Sequence, residues 1–112
     1  MKSRDTLVRL KKFQVEEKRR RVAQIEAMIN EFTRMATELD REIGAEEQRS
    51  GNSDPTHFAY STYARAARTR RDNLKNSTGE LREQLDEAKA QHAEAVEEFN
   101  KAQSLEIGRA HV

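Results

Sequence analysis

The chain has 112 residues, 21 of them Lys or Arg and 20 Asp or Glu, so 37% charged side chains leave a net charge of only +1. Only 35% of residues are hydrophobic and 5% aromatic, enough for one narrow apolar seam but too few for a wide globular core. Near-neutrality argues against a dedicated nucleic-acid binder, the lack of cysteine excludes a disulfide framework, and no apolar run approaches the about 20 residues needed to cross a bilayer.

Ala, Glu, Lys, Leu and Arg make up 57 of the 112 residues, the composition of long helices and coiled coils. The first predicted element is a helix over about 4–49, with Ser3 as its cap and Asp5 where the helix dipole favours an anion. From Val8 onward a heptad places Val8, Val15, Val22, Ile29, Ala36 and Ile43 at a, and Lys11, Lys18, Ile25, Phe32, Leu39 and Glu46 at d. Lys11 and Lys18 on the seam, with Leu7, Leu10 and Phe13 off it, leave extra apolar surface on the first turns. Those three apolar residues are candidate partner-binding positions, set against simple fraying with lysines reaching over their neighbours.

The string "RSGNSDPTH" predicts a turn over 50–57: Gly51 ends the first helix, and Asp54 caps a second whose first position is Pro55. The second helix is expected over about 58–105. Its frame places Tyr60, Ala67, Leu74, Leu81, Ala88, Ala95 and Ala102 at d, and Ala64, Arg71, Thr78, Leu85, His92 and Phe99 at a. Phe58 and Tyr63, off the seam beside the turn, are further candidate contact residues. The expected seam core is thus Val22, Ile25, Ile29, Phe32, Leu39, Ile43, Leu74, Leu81, Leu85 and Phe99.

"KNSTGE" puts poor helix formers inside the second helix and marks a candidate flexible point at Gly79. The tail "EIGRAHV" departs from the frame. Written as codons, ATC GGA AGA GCA CAC GTC and a stop resemble a sequencing-library adapter. Native sequence is therefore expected to end near Leu105 or Glu106, leaving 106–112 as a non-native tail.

The charges set the orientation. Residues 2–21 and 58–75 are basic, whereas 22–48 and 80–98 are acidic. Parallel helices would set like on like, so the matched arrangement is an antiparallel coiled-coil hairpin, an all-α fold of one domain over 1–105. A turn centred near residue 53 would face Phe32 with Leu74, Ile25 with Leu81, Val22 with Leu85 and Val8 with Phe99. It would also bring the basic run "EKRRRV", residues 17–22, against Glu83, Asp86 and Glu87.

Reaction chemistry is not indicated. The four glycines are isolated and none precedes a Lys-Ser or Lys-Thr pair, so no phosphate-cradling loop is encoded. The residue three before His92 is Lys89, not the Glu a helical di-metal site needs. His92 reads as a packed neutral histidine and His57 as a loop residue. No catalytic residue, cofactor or metal is expected, and the chain reads as a non-enzyme of the cytoplasm.

The opening "MKSRDTLVRLKKFQVEEKRRRVAQIEAMINEF", the run "ELDREI" and the segment "YARAARTRRDNL" resemble the flagellar export protein FliJ family in its short alphaproteobacterial form, over nearly all of 1–105 and with the C-terminal part missing. The resemblance implies a component of the flagellar type III export apparatus, peripheral to the export gate at the inner membrane. It implies a stalk in the hexameric ring of the export ATPase, with contacts to the export gate membrane protein and to export chaperones. No family motif assigns individual contact residues. Beside it stand an unrelated coiled-coil adaptor or chaperone, and a weak nucleic-acid binder using Arg68, Arg70 and Arg71 with the N-terminal lysines. Self-association through the alanine-rich half stays open, and no nucleic acid is expected.

Overall fold

A computed structural model describes the backbone over residues 2–110 and side chains over 5–105. The expected cap at Ser3 and the tail 106–112 lie outside the described side chains. The fold is all-α: α1 spans Lys2–Ser50 and α2 spans Thr62–Ala110, 49 residues each, paired as an antiparallel coiled-coil hairpin. Both are rich in Ala, Glu, Arg and Leu, whose side chains lose little freedom in a helix. Pairs such as Glu16–Arg19, Glu46–Arg49 and Glu97–Lys101, and Arg34 clamped between Glu31 and Glu38, link successive turns.

The backbone forms two compact units, one of Ala27–Arg82 and one of Met1–Glu26 with Glu83–Val112. In the first, which contains the turn, Ile29, Ala36, Leu39 and Ile43 of α1 are buried, as are Tyr60, Ala64, Ala67, Thr78 and Leu81. Phe32 and Leu74 are half-buried, and Leu74 packs on the cluster of Leu39, Ile43 and Ala67. Arg71 reaches Asp40 at 3.0 Å and Arg68 reaches Glu47 at 3.6 Å across the pair. These contacts join the basic start of α2 to the acidic end of α1, as the charge pattern predicts.

In the second unit the buried apolar residues are Ile25, Ala88, Ala95 and Ala102, while Val8, Val15, Val22, Leu85, His92 and Phe99 are half-buried. The seam positions are those of the heptads, but the seam of this unit is thinner. Lys11 and Lys18 lie on it and span to α2, at 3.1 Å from Glu98 and 3.2 Å from Gln91.

The turn departs from expectation. α2 starts at Thr62 rather than near 58, so the connection covers 51–61 and is centred at 56. Gly51 ends α1 in the left-handed conformation, φ 74°, and donates to the Glu47 carbonyl at 3.0 Å. Asp54 does not cap α2. Its carboxylate instead accepts from the Thr56 amide at 3.0 Å and hydroxyl at 2.7 Å, a local turn that competes with a helix start. The cap is Ser61, whose hydroxyl accepts from the Ala64 amide at 3.2 Å while its carbonyl accepts from Arg65.

The longer turn moves every partner further along α2. Leu74 therefore lies against Leu39, Ile43 and Ala67 instead of squarely against Phe32. Lys18 meets Gln91 and not the segment 85–88, and Lys11 meets Glu98. The helix runs unbroken through "KNSTGE", where the buried Thr78 hydroxyl is satisfied by the Leu74 carbonyl at 2.9 Å. The backbone of α2 also continues through Gly108 to Ala110.

Candidate functional site

The five candidate contact residues are all exposed, and they form two groups. Leu7, Leu10 and Phe13, at 39%, 49% and 55% exposure, recur every third residue along α1 in the unit that holds the chain ends. Phe58 and Tyr63, at 94% and 55%, belong to the unit that holds the turn. Met28 and Leu105 are exposed too. Both occupy g positions of their heptads, a flank of the seam that a search of a and d positions passes over.

Phe58 stands on a loop with its own hydrogen-bond lattice. Asn52 Oδ1 accepts from the Asp54 amide at 2.9 Å, the His57 amide donates to the Asp54 carbonyl at 3.1 Å, and the Tyr60 amide donates to the His57 carbonyl at 3.1 Å. The Ala59 amide donates to His57 Nδ1 at 3.0 Å, and Asn52 Nδ2 lies 3.2 Å from the same nitrogen. The His57 ring stacks on Phe58 with centroids 4.7 Å apart. None of these partners is distant in sequence, so the loop is built locally.

α2 then anchors the loop to the helix pair. Arg65 donates to the Pro55 carbonyl at 3.0 Å and lies over the Tyr60 ring, 5.4 Å from its centroid. Tyr60, only 4% exposed, donates its hydroxyl to Glu47 at 2.8 Å, and Ser61 donates to Glu46 at 2.9 Å. Burial, then the Glu47 contact, raises the Tyr60 phenol above its ordinary value; beside Tyr63 the Glu42 charge does the same. Hydrogen bonds from Thr56 hold Asp54 below the usual carboxylate range, and those from Arg49 and Ser61 do so for Glu46. The result is a preformed aromatic knob.

The basic run finds different partners from those its sequence suggests. Arg19 bonds Glu16 one turn back at 3.1 Å, and no ion pair among the described residues joins Arg19, Arg20 or Arg21 to Glu83, Asp86 or Glu87. Arg21 does line a shallow groove with Gln84 and Glu87. The cross-helix attraction is carried instead by Lys11, Arg68 and Arg71, which pair with Glu98, Glu47 and Asp40.

Among the described residues no cluster of three or more His, Cys, Asp or Glu is arranged to hold a metal ion, and no buried side-chain polar atom lacks a hydrogen bond. No helix among them is long and apolar enough to cross a membrane. What the surface offers is contact: an aromatic tip on one unit and an apolar stripe flanked by cations on the other. No protein-family model, curated protein or solved structure matches this chain.

Proposed function

We propose that this chain is a non-enzymatic coiled-coil component of the flagellar type III protein export apparatus, acting as a stalk within the ring of the export ATPase and touching the export gate and export chaperones. The observation that carries the reading is the exposed Phe58 on a hydrogen-bonded loop at the turn of a helix pair. A stalk needs side chains that face a partner without rearranging, because ordering a loop on binding subtracts from affinity. The resemblance of residues 1–105 to the FliJ family supplies the partners. In this role the chain works at the cytoplasmic face of the inner membrane, transmits the state of the ATPase to the gate mechanically, and serves motility through flagellum assembly.

The test is reconstitution with the hexameric export ATPase. Co-elution with the ring and an increase in ATP turnover are expected, together with loss of motility when the gene is deleted. A ring that neither binds the chain nor changes its turnover would remove the stalk reading and leave the hairpin as an adaptor for other partners.

A further inference from the structure

In the unit that holds the chain ends, α1 turns one face away from its seam. At about 100° per residue, Arg9, Leu10, Phe13, Glu17 and Arg20 fall within roughly 100° of one another, opposite Val8, Val15 and Val22. Leu10 and Phe13 are about half in solvent, and Leu7 lies at the margin. Arg9, Lys12, Arg20 and Arg21 are exposed and, among the described residues, have no acidic partner within ion-pair distance. The acids nearby are few: Glu16 is neutralised by Arg19, which leaves Asp5 and Glu17. The α2 segment of the same unit carries Glu83, Asp86, Glu87, Glu94, Glu97 and Glu98. Excess positive charge therefore belongs to α1.

We propose that this face of α1 docks on an anionic phospholipid surface, with Leu10 and Phe13 entering the headgroup region and Arg9, Arg20 and Arg21 pairing with lipid phosphates. Apolar side chains on a cationic helix face are the pattern of interfacial helices, and long basic side chains let the ring sink while their charges stay at phosphate level. The charge complementarity selects an anionic surface over a neutral one. Leu10 and Phe13 stand on the outer side of one helix, with Arg9 and Arg20 on one flank and Arg21 on the other, so a flat lipid surface can meet all of them at once. The inference stands on this face alone and does not depend on an export ATPase.

Flotation of the full chain with vesicles tests it, using phosphatidylcholine with and without phosphatidylglycerol. Binding is expected only with the anionic lipid and is expected to fall as salt rises. Arg9→Gln and Arg20→Gln should each weaken it about fivefold. Phe13→Ser should weaken it while keeping the salt dependence, and circular dichroism should show unchanged helicity for all three, since the residues are exposed. Equal binding to both vesicle types overturns the proposal, as does no flotation. Capture of a soluble helical peptide rich in Glu and Ala without flotation also overturns it and assigns the face to an acidic protein.

Discussion

Single residues at the turn decide how the two helices are joined. Ser61 supplies both the cap of α2 and a bond to Glu46, so Ser61→Ala should cost on the order of 1 kcal/mol and lower the urea midpoint. Phe58→Ala should leave that midpoint unchanged, because the ring is 94% exposed, while reducing binding to the ATPase ring. The ionisable groups set a pH window. Glu31, Glu46 and Asp54 are held below their ordinary values by bonds from Arg34, Arg49 and Thr56 respectively, so their contribution is complete above those values and fades as acid protonates them. Tyr60 and Tyr63 are raised above 10.0, so their neutral forms contribute below that pH and the contribution is lost in alkali. Denaturation midpoints measured against pH should be flat between these limits and fall below the carboxylate range and above pH 10.0. A midpoint still rising into the acid range would show that other groups dominate.

Within each helix, the heptad pattern made the seam legible and left the register open. Ile25, Ile29, Leu39, Ile43, Tyr60 and Leu81 are buried where a and d positions place them, because period alone decides which face of a helix points inward. The turn was less legible. Asp54-Pro55 has the composition of a helix start, but Asp54 spends its carboxylate on Thr56 and the start passes to Ser61. Several extra loop residues then shift all partners together. The basic run departs from expectation for a related reason: Arg19 takes Glu16, three residues away, since pairing within a helix requires no register, and Arg20 and Arg21 pair with no acid among the described residues. Gly79 provides an element-scale prediction. A methyl group there would meet nothing within 4 Å, so Gly79→Ala should stabilise α2 by about 1 kcal/mol and raise the melting temperature. No gain would mean that the glycine serves a bend in use, since the helix around it is regular.

At the scale of the whole molecule, the two units have different cores. Ala27–Arg82 buries Ile29, Leu39, Ile43, Tyr60 and Leu81, whereas the unit with the chain ends buries Ile25 and three alanines. Smaller side chains remove less apolar area from water, so local opening should be easier in the second. Hydrogen exchange should accordingly be slower for amides of 29–50 and 62–82 than for those of 8–22 and 86–102. Uniform rates over both would mean that the helices open only as one body.

The seam is also unequal between its two sides. α1 contributes Ile25, Ile29, Ala36, Leu39 and Ile43, and α2 answers with Ala64, Ala67, Thr78, Leu81, Ala88, Ala95 and Ala102. Two copies of α1 laid together would crowd branched side chains, and two copies of α2 would leave gaps wherever alanine faces alanine. Each helix is thus a mould for the other and a poor one for itself. A hairpin forced open beside its neighbour has one well-packed way to close, by α1 taking an α2, whether its own or a neighbour's. Mismatch of size makes the pairing choose its partner before any charge is consulted.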